Sequence, residues 1–339
     1  MKFTRTKKLV FFNNKGGVGK TTLSYNTAVK FAENGYKTVL IDLDPQCNLS
    51  LLAMGDYFIK KHLLPNEGDI YTVLKKVVEG GGDIDINVEF EKIGPTGNLF
   101  LLPGSSNLSR YENSLITSWG EAASGQDRGF FSTSAISRFL DQKALSEEID
   151  IFIIDTSPTL GLLNRVIFLD SHYFITPLMP DAFSIQGIRN LGSIFSEWRE
   201  NWKVTSKVLA KNKEISSDKV LDGDSLFIGY TINSYNQYSQ QPIKANREWM
   251  ELIPELVKEN ISEKHGKNGL VEKSWKTPLS IMKDYGSLSP ISQEKNKAIF
   301  NLIPTEDFQN VQGTKETLEK SQEEFEILFR NVEEILKEY

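Results

Sequence analysis

The chain has 339 residues, 39% of them hydrophobic and 25% charged, enough for a sizeable buried core. No apolar run approaches the roughly 20 residues of a membrane span, and the LVFF stretch behind the basic start is too short for a signal-peptide core. One cysteine, Cys47, excludes an intramolecular disulfide framework and points to a reducing cytoplasm, while the formal charge of −6 leaves any nucleic-acid binding to a local patch.

In chain order, Leu9–Phe12 predicts a short buried strand bounded by a glycine-rich turn. Thr21–Asn34 changes to helical spacing through Leu23, Ala28, Phe31 and Ala32, and Gly35 closes it as a left-handed cap. Thr38–Ile41 is a second strand, running into Asp42 and Asp44. Further strands are expected at Leu99–Leu102, Ile151–Ile154, Tyr173–Thr176 and Leu226–Ile232, each followed by polar or turn residues. Helices are expected at Ser134–Glu148, Ser184–Trp202 and Pro242–Ile261. Glu79–Asp85, with three glycines, and the polar Lys211–Asp224 read as loops or insertions. This alternation predicts an α/β fold, a mostly parallel β-sheet flanked by helices on both faces. Without a repeat or a clean linker, one domain is expected over 1–339, with its core over about 8–310. The last segment, Thr314–Lys337, has an apolar stripe and a more acidic than basic polar face, so it is expected to dock on its own domain rather than on anionic lipid.

The segment Asn14-Lys15-Gly16-Gly17-Val18-Gly19-Lys20-Thr21-Thr22 follows a strand and opens a helix, the context of a phosphate-cradling loop. Glycines let backbone N–H groups turn inward around phosphate oxygens, and the helix start adds its positive end. Lys20 is placed to reach the β- and γ-phosphates of ATP, and Thr21 to ligate Mg²⁺. Alternation puts Asp42 and Asp44 on one face at a strand end, where two carboxylates beside a polyphosphate make sense chiefly with a metal. Ile151-Phe152-Ile153-Ile154-Asp155 is an apolar strand ending in aspartate, a Walker B form in which Asp155 holds Mg²⁺ through water.

The ordinary loop pattern asks for glycine where this chain has Asn14, and Lys15 is an additional lysine. That KGGVGKT signature resembles the ParA/MinD family of deviant-Walker P-loop ATPases. The resemblance implies that Lys15 reaches across an ATP-dependent homodimer to the partner's nucleotide, that Asp44 positions the attacking water, and that Asp42 supports the switch geometry. Asp44-Pro45-Gln46 and the PLMPDAFSIQG segment from Pro177 to Gly187 resemble the plasmid and chromosome partition branch. On the same resemblance Asn233, in IGYTINSYN, contacts adenine, a ParB-like partner stimulates hydrolysis, and the ATP-bound dimer binds nonspecific DNA on the nucleoid. Cys47 stands where the family usually has glycine and reads as a small buried thiol. Residues 199–219 carry six basic residues against three acidic ones, and Arg199, Lys203, Lys207, Lys244 and Arg247 are the DNA-contact candidates. No long extension with a helix-turn-helix precedes the loop, so sequence-specific operator binding is not expected.

Three other readings compete. A positioning ATPase could act on a protein assembly or membrane, although the acidic last helix argues against direct lipid binding. A reductase like the nitrogenase iron protein would need two cluster-ligating cysteines per subunit, and the chain has one. A bacterial tyrosine kinase would need a terminal tyrosine cluster, and Tyr339 stands alone. His62, His172 and His265 are scattered and suggest neither a metal site nor a triad.

Overall fold

Each apolar run anticipated as a strand forms one, and alternation along it decides which helices it meets. The computed structural model describes residues 2–211, 219–235, 237–238, 241–242, 244–266, 270–286, 288–304, 306–307 and 314–339. Its main sheet contains β1 (Lys7–Phe11), β2 (Thr38–Leu43), β3 (Glu91–Lys92), β4 (Leu99–Leu102), β5 (Ile151–Thr156), β6 (Tyr173–Leu178), β7 (Leu226–Tyr235) and β8 (Ser280–Lys283). Their order is β8-β7-β6-β1-β5-β2-β4-β3, and every pair is parallel except β3 with β4.

The helices of seven or more residues are α1 (Lys20–Glu33), α2 (Asn48–Met54), α3 (Ile70–Val78), α4 (Leu108–Ala123), α5 (Asp127–Thr133) and α6 (Ala135–Glu147). They continue as α7 (Leu162–Asp170), α8 (Ala182–Lys211), α9 (Lys244–Val257), α10 (Leu270–Lys276), α11 (Leu288–Lys295) and α12 (Thr314–Glu338). Leu9, Phe11, Leu40 and Ile153 point into one core with α1, α2 and α12, whereas Val10, Phe12, Val39 and Phe152 point into the other with α3 to α9. A sheet buried on both faces explains why its strands read as continuous apolar runs. Gly35 closes α1 with φ of 80°, a conformation that disfavours a β-carbon.

Several boundaries differ from the sequence reading. β1 starts two residues early because Lys7 and Lys8 are buried, and the Lys8 ammonium lies 2.8 Å from Asp141 and 3.0 Å from Asp170. Pairing lets a lysine enter a strand that an apolar filter excludes. α8 runs on past Trp202 to Lys211, and the expected Pro242–Ile261 helix begins only at Lys244 and ends in a π-helical turn over Lys258–Ser262. β3, β8, α2 to α5, α7, α10 and α11 carry no sequence expectation. Of the Lys211–Asp224 insertion, residues 212–218 lie outside the described residues; the rest packs back, with Trp202 Nε1 donating to the Leu221 carbonyl at 2.9 Å.

The last helix docks as its stripe predicts. Leu318, Phe325, Leu328, Phe329, Val332, Ile335 and Leu336 are buried, and the Phe329 ring meets Phe31 of α1 at 4.9 Å between centroids. Among the described residues no helix is long and apolar enough to cross a membrane.

Candidate functional site

The C-terminal ends of parallel strands β1, β2 and β5 converge on one edge of the sheet, where the chain must turn into helices. The loop from Asn13 to Gly19 makes the first of these turns. Gly17 and Gly19 have φ of 74° and 85°, and a β-carbon on Gly19 would sit 3.0 Å from the Asn233 amide nitrogen. At Gly16 and Gly17 a β-carbon would meet nothing within 4 Å, so the loop opens onto free space of the kind an anion fills. Asn13, which carries no sequence expectation, holds the loop: its Nδ2 donates to the Pro177 carbonyl at 2.6 Å and its Oδ1 accepts from Lys15 N at 2.9 Å.

Lys20 begins α1 and is almost fully buried, its ammonium donating to the Asn13 carbonyl at 2.9 Å and the Lys15 carbonyl at 3.2 Å. Burial lowers its pKa, opposed by the charges of Asp155 and Asp44. Thr21 Oγ1 donates to Asp155 Oδ2 at 2.8 Å, and Ser24 Oγ to Asp155 Oδ1 at 3.3 Å.

Asp42 and Asp155 are neighbours in the register of β2 and β5. Both are fully buried, and desolvation lifts their pKa values to about 6 and about 7. Asp42 accepts from Ser50 N at 2.9 Å, Ser50 Oγ at 2.6 Å and Asp44 N at 3.2 Å, so it braces the first turn of α2. β2 ends at Leu43, so Asp44 lies beyond the strand, where it accepts from Gln46 N at 2.9 Å and lines the cavity that Asp42 does not reach.

That cavity, about 540 Å³, is lined by Gly16, Gly17, Gly19, Lys20, Thr21 and Thr22, by Asp44, Gln46, Asn48 and Leu52 after β2, and by Thr156 and Pro158 after β5. Ser289, Pro290 and Gln293 of α11 close its far side, a contribution the sequence reading missed. A smaller cavity of about 150 Å³ adjoins it at Gly17, Gly19 and Thr22, and is lined further by Asn233, Met282, Lys283, Asp284 and Tyr285. Asn233 Nδ2 donates to the Val18 carbonyl at 2.5 Å, which leaves its buried Oδ1 without a partner among the described residues.

These features fit a magnesium nucleotide. The loop opens onto free space, Lys20 offers a buried cation, and Asn233, whose buried Oδ1 has no partner among the described residues, lines the adjoining recess. Among the described residues no three His, Cys, Asp or Glu side chains form a metal cage. Thr21 and Asp155, in contact at 2.8 Å, are the oxygens that could hold an ion whose shell is completed by phosphate and water.

Lys15 is not among the residues lining either cavity. Its ammonium pairs with Asp181 and lies 5.7 Å from the Phe183 ring centroid. The DNA-contact candidates fare unequally. Arg199 is committed to Asp224, the Lys264 carbonyl and His265 Nδ1, and its side chain is mostly buried. Lys203 pairs with Glu200 at 2.8 Å and Arg247 with Glu251 at 3.4 Å, both at exposed positions, and Lys207 is exposed. The Lys244 side chain lies outside the described residues.

Residues 6–208 match the AAA domain family. A virulence-plasmid ParA family protein of Chlamydia psittaci is 29% identical over 230 residues, covering 63% of this chain and 78% of that protein. The chromosome-partitioning ATPase Soj of Treponema pallidum is 30% identical over 183 residues, covering 54% of this chain and 60% of Soj. A crystal structure of a Corynebacterium diphtheriae protein superposes with a TM-score of 0.70 at 26% identity, over 86% of this chain and 97% of that one.

Proposed function

For a chain that belongs to that AAA domain family as a P-loop ATPase of the ParA/MinD type, we propose the role of a partition ATPase, whose ATP-bound dimer holds DNA without sequence preference. The observation that carries the nucleotide chemistry is the contact of Thr21 with the buried Asp155, with Thr21 and Lys20 lining the glycine-edged cavity. Mg²⁺ and ATP, when bound, would supply the reactive phosphoryl group and the countercharge to it.

In this reading the whole described chain acts as one ATPase domain. Lys20 holds the β- and γ-phosphates, and backbone N–H groups of residues 16–22 surround them. Thr21 and Asp155 would hold Mg²⁺, the threonine directly and the aspartate through water. Asp44 orients the attacking water from the open side of the cavity, and Asp42 acts from behind through Ser50. Asn233 Oδ1 accepts from the exocyclic amine of adenine. Lys15 exchanges Asp181 for the nucleotide of a second copy. The ordered loops after Asp44 and Asp155 then signal nucleotide state, as in other P-loop switches.

Soj and the plasmid ParA protein, by name, belong to chromosome partitioning and to the ParA family, which supports plasmid or chromosome segregation as the task. Exposed Lys203, Lys207 and Arg247 are the remaining phosphate contacts, doubled in a dimer. A ParB-like partner would stimulate hydrolysis and release the DNA, placing the protein in the cytoplasm at the nucleoid. The apolar stripe of α12 is spent on α1 and β8, which supports DNA over lipid as the surface.

Two variants and one binding assay test this. Lys20→Ala abolishes ATP binding, whereas Asp44→Ala binds ATP and accumulates dimer with little turnover. Random-sequence DNA shifts on a gel with ATP but not with ADP or without nucleotide. Parental hydrolysis by Asp44→Ala would refute its assignment, and an absent shift would move the task to protein cargo.

A further inference from the structure

The nucleotide cavity has two walls from distant parts of the chain. One is the loop between β2 and α2, with Asp44, Gln46 and Asn48; the other is α11, with Ser289, Pro290 and Gln293. A single side chain joins these walls behind the cavity. Asn296 follows the end of α11 with φ of 51°, a left-handed conformation that asparagine tolerates better than most residues. Its Nδ2 donates to the Leu52 carbonyl at 2.9 Å and the Leu51 carbonyl at 3.3 Å, both in the last turn of α2. The Leu51 carbonyl already accepts from Gly55 N at 2.9 Å, so the amide adds a second donor there and a side-chain donor to the Leu52 carbonyl at the helix end. The same amide reaches the Gln293 carbonyl at 3.1 Å, one of the cavity-lining residues. Its backbone carbonyl accepts from Tyr25 Oη at 3.0 Å, which adds α1, the helix that carries Lys20 and Thr21.

α2 is only seven residues long, and it is held at both ends. Asp42 grips its first turn through Ser50, and Asn296 grips its last turn. A glycine, Gly55, stands where a β-carbon would lie 2.6 Å from Asn296 Oδ1, so the amide packs directly onto the chain leaving the helix. α11 and the last turn of α2 are thus joined directly by the hydrogen bonds of one side chain.

We propose that Asn296 is a positioning residue that transmits occupancy of the nucleotide cavity from α11 to α2, and so sets the loop that carries Asp44. Asn296 touches no nucleotide atom in this scheme; it acts through the backbone of α2. The inference rests on the ATP-site reading above, and its test separates the two.

The test compares the parental chain with Asn296→Gly, which keeps the left-handed backbone, and Asn296→Asp, which keeps the shape but removes the donors. Five quantities are read: melting temperature, affinity for a non-hydrolysable ATP analogue with Mg²⁺, kcat, KM, and amide hydrogen exchange of residues 51–55 with and without that analogue. In the parental chain the analogue should slow exchange over 51–55. In both variants that slowing should vanish while analogue affinity stays within roughly threefold, and kcat should fall about tenfold with KM little changed.

Parental kcat and analogue-dependent protection in Asn296→Asp would overturn the proposal, since shape alone would then suffice. So would losses of kcat that merely follow a fall in melting temperature or in analogue affinity, which a purely structural cap produces. If Asn296→Gly fails to fold, Asn296→Asp and Tyr25→Phe carry the test, the latter expected to lower kcat by about twofold to threefold. A parental chain that binds no analogue refutes the ATP site itself, independently of Asn296.

Discussion

Lys15, in the phosphate loop, pairs with Asp181 at the entrance to α8, within its own chain. Both side chains are partly exposed, at 27% and 34%. A pair so placed is worth at most about 1 kcal/mol, so it restrains Lys15 without locking it. The segment that carries Asp181 is also fastened to the loop by Asn13, whose amide reaches the Pro177 carbonyl. The lysine expected to serve a second copy is thus held beside its own loop.

Asp181→Ala should therefore lower the ATP concentration needed for dimerisation by no more than roughly fivefold, the equivalent of that pair's energy. Analytical ultracentrifugation across an ATP series checks this. A variant that dimerises less readily than the parent would show that Asp181 supports the dimer rather than restraining Lys15.

Asn233 offers a sharper specificity test. Nδ2 is engaged by the Val18 carbonyl, the buried Oδ1 has no partner among the described residues, and Asn233 lines the smaller cavity, so adenine recognition would use Oδ1 as acceptor. An acceptor there favours the amine of adenine over the carbonyl of guanine. Asn233→Ala should weaken ATP by about tenfold and bring ATP and GTP to similar affinities, measured by titration calorimetry. Retained preference for ATP would place base selection elsewhere, with Tyr285 or Asp284.

Cys47 is left-handed, with φ of 56°, and buried behind the Asp44 loop. Burial and the nearby Asp42 and Asp44 raise its thiol pKa, so it should react slowly with thiol reagents. A non-glycine residue there carries roughly 1–2 kcal/mol of backbone cost. Cys47→Gly should recover about as much as the lost thiol packing removes, leaving the melting temperature within a few degrees. Cys47→Val puts a β-branched side chain at positive φ and should cost about 2 kcal/mol or more. Equal melting temperatures for the two variants would contradict the strain argument.

Two histidines predict the acid limb of stability. His172 Nδ1 accepts from Lys8 N at 3.0 Å and His265 Nδ1 from Arg199 at 3.0 Å, and burial depresses both pKa values to about 3. Neutral in the fold but protonated at about 6.5 when unfolded, each leaves stability intact above that pH. Below it, each removes about 1.4 kcal/mol per pH unit down to about pH 3. His172→Asn keeps an acceptor without the titration. Its denaturant-determined stability should fall less steeply than the parent's between pH 6.5 and 4. Parallel slopes would show that His172 charges in the fold.

The stretch from Leu9 to Asn34 was legible from its residues because strand, turn and helix there are local matters. A run of apolar residues, glycines free to take positive φ and a change of period each act within a few residues. Asp42, Asp44 and Asp155 could likewise be placed at strand ends. What local pattern could not decide was the division of labour between them. Asp42 turns to Ser50 while Asp44, two residues later, meets the cavity, because β2 stops at Leu43. Lys15 was expected at a partner's nucleotide and Arg199 on DNA; in the fold each pairs with a carboxylate outside its own stretch of sequence. The wall built by α11 and the clasp of Asn296 on α2 join residues some 245 positions apart. Such contacts depend on which helices share a face of the sheet, a consequence of packing that no window of neighbouring residues contains.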